Sequence, residues 1–318
     1  MKKFTTYEEQ IEILKNRTLT ITDEQFFLNK LEDCGYYNLI NGYSFLFKHE
    51  NNNIYKDKVT DQDIINLYNF DKNLRTIVYK YTLNIESRLK SQISYLFSSK
   101  YGELQANYLQ EKNFDKDPNK KESISNLINT CNDIIITCAD KKSKKFRSYI
   151  YHYVNEHEHV PLWVLIRSMT LGEVSIFFSN MKLEDRTEIA RKYKLTAASM
   201  KIMFKMLVAF RNIVAHDERI FCAEIKKDRL PYDLEIYKKM RIKTNKNNVP
   251  LVGKNDFLAL MIIFKYFLKP LEFSSFWQEF ISERLMLIQN LKPHFISEVN
   301  NKMGLKNRWT NLQNYKIT

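Results

Sequence analysis

Apolar residues recur at intervals of three and four positions along most of the chain, which is the spacing of amphipathic helices. In the N-terminal part this spacing predicts one helix over residues 6–16 and a second helix that begins at Thr22. A much longer helix is predicted to begin at Asp61 and to close at Tyr101 and Gly102. Its predicted apolar face is formed by Phe70, Leu74, Ile77, Val78, Tyr81, Ile85, Leu89, Ile93 and Leu96.

The same spacing continues through the centre and the C-terminal part of the chain. The predicted helices there cover residues 123–138, 161–172, 182–193, 197–213, 257–268 and 273–291. Residues 173–178 either continue the helix that starts at Pro161 or turn back on it. A short hairpin is an alternative for residues 34–43, which are aromatic and punctuated by glycine.

The predicted elements divide the chain into three parts. Residues 1–58 form an N-terminal helical unit, and residues 59–224 form a helical bundle. Residues 225–255 are basic, rich in asparagine and interrupted by proline and glycine, which marks them as a boundary. We therefore expect residues 225–318 to be a basic linker followed by helices that pack back on the bundle.

The composition agrees with an all-α protein, because 6 Gly and 6 Pro among 318 residues are too few for the many turns of a β protein. The net charge of +13 favours a polyanionic partner such as nucleic acid, and the alternative explanation is a generally lysine-rich proteome. The four cysteines lack metal-ligand spacing, and no stretch of about 18 apolar residues occurs. We expect a cytoplasmic protein without a membrane span, a signal peptide or a disulfide framework.

The segment with the most chemical information ends the predicted helix over residues 197–213. It contains, in order, Arg211, Asn212, Ala215, His216, Asp217 and Arg219. The R-x4-H spacing within it is weak on its own, because a second copy occurs at Arg147 and His152. We interpret the second copy as coincidence, since it lacks the asparagine after the arginine and the charged residues after the histidine.

Four ordered blocks of the sequence resemble the Abi-like proteins (AbiD/AbiF type) of the HEPN superfamily, over roughly residues 5–222. The blocks are Gly35-Tyr36-Tyr37 with Gly42-Tyr43, Phe70-Asp71-Lys72-Asn73-Leu74-Arg75 with Ile85-Glu86-Ser87-Arg88, Pro161-Leu162-Trp163 with Leu171-Gly172, and Arg211-Asn212 with Ala215-His216 and Arg219. The resemblance implies a HEPN-type helical bundle, here with N-terminal and C-terminal helical additions, that forms a homodimer. It also implies a metal-independent endoribonuclease without a cofactor, used as an antiphage effector or toxin and controlled by a structured small RNA. Arg211 and His216 would be its catalytic pair.

The residue types in this motif suit RNA cleavage without a metal ion. Histidine titrates near neutral pH, so His216 can accept the proton of the 2′-OH or deliver one to the 5′-oxygen. Arg211 would stabilise the charged phosphorane, and Asn212 would orient His216 or the scissile phosphate. The expected products carry a 2′,3′-cyclic phosphate and a 5′-OH. The alternative is a helix-terminal salt-bridge cluster of Arg211 and His216 with Asp217 and Glu218.

Other charged residues are candidates for supporting roles. Arg75 and Glu86 lie nearly in line on one face of the long helix, where with Arg88 they form either an ion network that supports the site or a solvated face. A basic run that could contact RNA phosphates comprises Lys141, Lys142, Lys144, Lys145 and Arg147. The histidines and carboxylates at residues 156–159 are not interpreted as a metal site, because positions i and i+2 diverge on a helix and no third spaced ligand follows.

Two other classes of function stay open at this point. In the first, the chain is a non-catalytic RNA-binding module of a defence or toxin–antitoxin system, and His216 is idle. In the second, the N-terminal helices bind DNA, but residues 7–33 lack a basic recognition helix. Cleavage of mixed RNA by the purified protein, with and without EDTA, would separate the enzyme from the binding module.

Overall fold

The computed structural model describes residues 3–50, 52–306 and 308–317. Within these ranges the regular elements are helical, and the β-bridges are isolated pairs of residues. The α-helices are α1 (Tyr7–Lys15), α2 (Glu24–Cys34), α3 (Asp61–Tyr101), α4 (Gln105–Tyr108), α5 (Lys121–Ala139), α6 (Ser148–His157), α7 (Leu162–Ser168), α8 (Leu171–Asn180), α9 (Leu183–Arg191), α10 (Ala197–Ala215), α11 (Glu235–Lys239), α12 (Phe257–Phe267), α13 (Pro270–Asn290) and α14 (Pro293–Lys302). The prediction of an all-α fold is confirmed.

Helix α3 is the longest of these elements, and its 41 residues extend about 60 Å. A capping box fixes its start, because the Thr60 hydroxyl accepts from the Asp63 amide and the Asp63 carboxylate accepts from the Thr60 amide. It ends at Gly102, whose φ of +84° is readily adopted by glycine. All the residues of its predicted apolar face are buried, and the helix packs against α7, α10 and α13.

The apolar segment that starts at Pro161 forms two helices, so the chain turns back rather than continuing. Helix α7 ends at Ser168, and Thr170 then caps α8 through a capping box with Glu173. The second helix packs against α10, the helix that carries the R-x4-H motif. The break therefore places a second helix beside the motif helix.

The short hairpin considered for residues 34–43 does not form. The structure has instead a π-helical turn, Tyr37–Asn41, and a 3-10 turn, Ser44–Leu46. Leu39 and Ile40 are adjacent and both fully buried, which the alternating faces of a strand cannot provide. The chain reverses further along, where a single antiparallel bridge pairs Lys48 with Tyr55.

The C-terminal helices pack against the central bundle. Residues 225–255 are irregular apart from α11, as their composition predicts. Helix α12 is buried on nearly all sides, and α13 begins at Pro270 because proline is favoured in the first turn of a helix. Helix α13 lies along α3 and covers one of its faces. No helix in the described part of the chain is long and apolar enough to cross a membrane.

Two ion pairs that join α3 to α13 differ in their exposure to solvent. Arg88 donates to the two carboxylate oxygens of Glu272 at 2.5 and 2.6 Å and to a backbone carbonyl at 2.8 Å. Lys80 lies 2.7 Å from the Glu279 carboxylate. The Arg88 and Glu272 side chains are 18% and 26% exposed, whereas Lys80 is 57% exposed. The shielded, bidentate pair should therefore contribute more to stability.

Replacement of these two cations tests how the C-terminal helices are attached. We expect Arg88→Gln to lower the free energy of unfolding by about 1–2 kcal/mol, because Glu272 loses its charged partner. Lys80→Gln should cost at most about 0.5 kcal/mol, since its pair is exposed. Urea denaturation followed by circular dichroism measures both values. Equal losses would contradict the greater contribution of the shielded pair.

Candidate active site

The R-x4-H motif lies at the C-terminal end of α10. The helix ends at Ala215, and His216 is its cap residue. Asp217 has a φ of +57°, and the Glu218 amide donates back to the Ile213 carbonyl at 3.0 Å. This is a Schellman-type ending, in which one left-handed residue stops the helix and redirects the chain. The direction of the chain after His216 is therefore set by the conformation of Asp217.

A buried carboxylate on α3 holds the turn that follows His216. Asp71 is 0% exposed, so each of its acceptor sites needs a donor from the protein. Its Oδ1 accepts from the backbone amides of Ile220 and Phe221 at 3.1 and 2.8 Å. Its Oδ2 accepts from the Tyr43 hydroxyl at 2.8 Å and from the Arg75 guanidinium at 2.5 Å. One side chain thus joins α3, the N-terminal turns and the segment after the motif.

Arg75 links this buried carboxylate to the surface. Its side chain is 6% exposed, and it also donates to the Tyr43 hydroxyl and to the Asp217 carboxylate, both at 2.9 Å. Burial raises the pKa of Asp71, while the Arg75 charge and the hydrogen bonds oppose that rise. Burial and the charge of Asp71 raise the pKa of Tyr43, so its hydroxyl stays protonated and donates. Arg75 thus pairs with two carboxylates, the buried Asp71 and the exposed Asp217.

The turn after the motif also packs on the N-terminal unit. Arg219 donates to the Gly42 carbonyl, and its guanidinium lies 5.6 Å from the ring centre of Phe45. The fully buried ring of Phe221 stacks on Tyr43 and Phe45, with centres 6.0 and 6.1 Å away. These contacts fix the backbone that follows His216 and Asp217.

An open cleft of about 620 Å³ lies over this network. His216 lines it together with Asp217, Arg219 and Arg75, and the wall opposite the motif comes from the π-helical turn. An exposed imidazole therefore stands beside two guanidinium groups. Arg75 is largely buried and bonded to Asp71 and Asp217, and the carboxylates of Glu218 and Glu224 also line the cleft. Arg219 is therefore the exposed guanidinium that could bind a phosphate oxygen here, next to an imidazole that can transfer protons at neutral pH.

Arg211 is not among the residues that line this cleft. It lies inside α10, whereas His216 is the cap residue that follows the helix. Its Nη1 reaches only the exposed Asn212 side chain, at 3.4 Å, and its buried Nε has no hydrogen-bond partner among the described residues. The two residues of the motif are therefore separated within one chain.

The other residues singled out from the sequence lie away from this cleft. Glu86 pairs with Lys90 at 2.7 Å and Arg88 pairs with Glu272, so neither joins the Arg75 network. At 1.5 Å per residue, Glu86 lies about 16 Å along α3 from Arg75. The basic residues Lys141, Lys142, Lys144, Lys145 and Arg147 are all exposed, in the connection between α5 and α6. Over the described ranges, no group of three or more His, Cys, Asp or Glu side chains is placed to hold a metal ion.

Sequence reasoning missed Asp71 and Tyr43. A signal for Asp71 was present, because it falls between Leu67 and Leu74 on the apolar face of α3, where a charged residue needs a buried partner. Arg75, one turn later, is that partner. The amide donors stand 149 and 150 positions further along the chain, so no local pattern could identify them.

Comparison with known proteins identifies a family. A family model described as "Abi-like protein" matches residues 29–222 of the chain. The match begins in α2 and ends in the turn after α10, so it includes Tyr43, Asp71, Arg75, Arg211 and His216. No curated protein and no solved structure matches the chain.

Asp71→Asn tests whether the buried charge fixes the turn. The amide offers one acceptor oxygen in place of two, so we expect the free energy of unfolding to fall by about 3 kcal/mol. Tyr43→Phe removes one hydroxyl and leaves the ion pair intact, and should cost about 1 kcal/mol. Urea denaturation measures both. If Asp71→Asn is no more harmful than Tyr43→Phe, the carboxylate does not have this role.

Proposed function

The chain belongs to the Abi-like protein family, and from this premise we propose that it is a HEPN-type, metal-independent endoribonuclease that acts in abortive-infection defence. The family itself suggests abortive-infection defence. The observation that supports an enzyme is the exposed His216 at the edge of a cleft, beside the guanidinium groups of Arg75 and Arg219. The turn after His216 is fixed by the buried ion pair of Asp71 and Arg75. A catalytic group has to be kept in position in this way.

The chemistry assigned to this site is transesterification at phosphorus. The 2′-hydroxyl of one ribose attacks the adjacent phosphate as it loses its proton, and the 5′-oxygen of the next nucleotide leaves as it gains one. His216 serves one of these proton transfers. Arg211 donates to the phosphorane oxygens, and Asn212 positions the phosphate. The products are a 2′,3′-cyclic phosphate and a 5′-OH, and no metal ion takes part.

The proposed active unit is a homodimer. Arg211 does not line the cleft that His216 lines, so one chain does not present both to the same phosphate. The Nε of Arg211 is buried without a hydrogen-bond partner in the described part of the chain, so its hydrogen bonding is incomplete within one copy. A twofold axis beside the end of α10 would place Arg211 of one copy next to His216 of the other.

The proposed partner is RNA, as substrate and as a structured small RNA that controls the enzyme. The net charge of +13 supports a polyanionic partner. Five exposed basic residues between α5 and α6 form a surface that we call the basic turn: Lys141, Lys142, Lys144, Lys145 and Arg147. None of these five residues forms an ion pair within the described ranges, so their charges are available to phosphates.

Substitution of the motif residues tests the enzymatic proposal. We expect His216→Ala and Arg211→Ala each to reduce RNA cleavage about a hundredfold or more while the protein stays folded, because both residues lie at a polar helix end. His152→Ala, in the second R-x4-H copy, should cleave normally. Cleavage of a labelled RNA in the presence of EDTA measures this. RNA binding without cleavage by the unaltered protein would instead indicate the non-catalytic module.

Mixing the two inactive variants tests the shared site. If each site takes its arginine from one copy and its histidine from the other, a 1:1 mixture of Arg211→Ala and His216→Ala recovers about a quarter of the original cleavage rate. The recovery arises because half of the dimers are mixed and each mixed dimer rebuilds one of two sites. A mixture of Arg211→Ala with the double variant rebuilds none and is the control. Absence of recovery would contradict the shared site.

The basic turn is tested by the dependence of RNA binding on salt. Phosphate contacts release counterions, so affinity for RNA should fall steeply between about 50 and 200 mM salt. Lys142→Glu and Lys145→Glu together should weaken RNA binding and flatten this dependence without changing the cleavage products. Fluorescence anisotropy with a labelled RNA gives the affinities. A variant that binds with the original affinity and salt slope would exclude the basic turn as an RNA contact.

A further inference from the structure

A second cavity, of about 640 Å³, lies on a different part of the molecule from the cleft at His216. Its walls come from the turn between α9 and α10, the junction of α12 with α13, and residues 313–317. The two cavities share no lining residue. A volume of this size is within the range of about 300–1,000 Å³ found for small-molecule sites. Most of its wall lies outside the segment matched by the family model.

The charged side chains that line this cavity are all positive. Four lysines line it, Lys192, Lys194, Lys265 and Lys316, and no Asp or Glu does. None of the four forms an ion pair with a carboxylate of the described residues. Glu235 lines a neighbouring cleft, and its ion pair, at 3.5 Å, is with Lys239 and not with a lysine of this cavity. A polyvalent anion would therefore meet several unpaired cations here.

Lys265 is the most enclosed of these cations. Its ammonium donates to the Gln313 carbonyl at 2.8 Å and lies 4.2 Å from the ring centre of Phe273. Burial alone lowers the pKa of Lys265 to about 8, which means that its charged form lacks the stabilisation that water would give. An anion beside the ammonium would restore that stabilisation. The cavity thus holds a cation whose charged form an anionic ligand would stabilise.

Four aromatic side chains also line this cavity, and Tyr315 is the most accessible of them. Tyr193, Tyr266 and Phe273 are largely buried in its wall, and Tyr315 is half-buried. Aromatic side chains beside cations are the usual means of holding a nucleobase and its phosphates, because every base presents a π-face and each phosphate oxygen accepts from an ammonium. A purely aliphatic anion would leave the aromatic wall unused.

We propose that this cavity binds a free nucleoside triphosphate, with its phosphates among Lys192, Lys194, Lys265 and Lys316 and its base on the aromatic wall. The number of cations favours a ligand with several charges over a monophosphate. The lysines at positions 192 and 194 lie in the turn that leads into α10, so the ligand contacts the segment that begins the motif helix. The binding itself is independent of RNA cleavage.

Calorimetric titration of the full-length protein with ATP in magnesium-free buffer tests this site. We expect ATP to bind with micromolar affinity, and adenosine and inorganic triphosphate each to bind at least about tenfold more weakly, since each retains half of the contacts. Lys265→Met keeps the aliphatic stem on Phe273 and should weaken ATP binding about tenfold or more. Lys142→Met, in the basic turn, removes the same charge elsewhere and should bind ATP normally.

Several outcomes would overturn the proposal. They are the absence of ATP binding, inorganic triphosphate binding as tightly as ATP, and an equal loss of affinity in Lys265→Met and Lys142→Met. Loss of ATP binding in His216→Ala would assign the nucleotide to the first cleft. If Lys265→Met fails to fold by circular dichroism, the exposed Lys316→Met must show the reduced affinity instead. Tight binding of a 5′-triphosphorylated oligonucleotide without ATP binding would assign the cavity to RNA ends, against a free nucleotide.

Discussion

A carboxylate without access to solvent has to be surrounded by donors, and Asp71 meets this requirement with donors from three separate parts of the chain. Arg75 lies one turn away on the same helix, Tyr43 comes from the N-terminal unit, and two amides come from the turn after α10. If any of these parts moved away, the charge would lose donors. The position of His216 at the rim of its cleft is thus a consequence of how a charge on another helix is satisfied.

Periodicity and capping were enough to predict the helices that form this frame. The buried stripe of α3 and the end of the motif helix near residue 213 follow from local sequence, because burial on one face and helix capping are local properties. The network around Asp71 could not be predicted, since its amide donors are far along the chain. The hairpin considered for residues 34–43 was wrong, because the adjacent Leu39 and Ile40 are both drawn into the core. Glu86 shared a helix face with Arg75 in projection, but its distance along the axis separates the two side chains.

The C-terminal part of the chain belongs to the same core as the family-matched part. Helix α13 covers one face of α3, and α12 is buried between the bundle and the terminal segment. A helix of 41 residues presents more apolar surface than the central helices alone cover. The second cavity arises at this junction, where residues of the added helices meet the turn before α10. The C-terminal helices therefore complete the core and also form most of the wall of the second cavity.

The distance in sequence between Asp71 and its amide donors also has a consequence for synthesis of the chain on the ribosome. While residues up to the end of α10 are being made, the Oδ1 atom of Asp71 lacks its two protein donors, because the amides of Ile220 and Phe221 do not yet exist. The nascent bundle cannot seal that side of its core until the segment beyond His216 emerges. A chain that ended before residue 220 would lack the two amides that bind Asp71, and the turn after His216 would not be fixed.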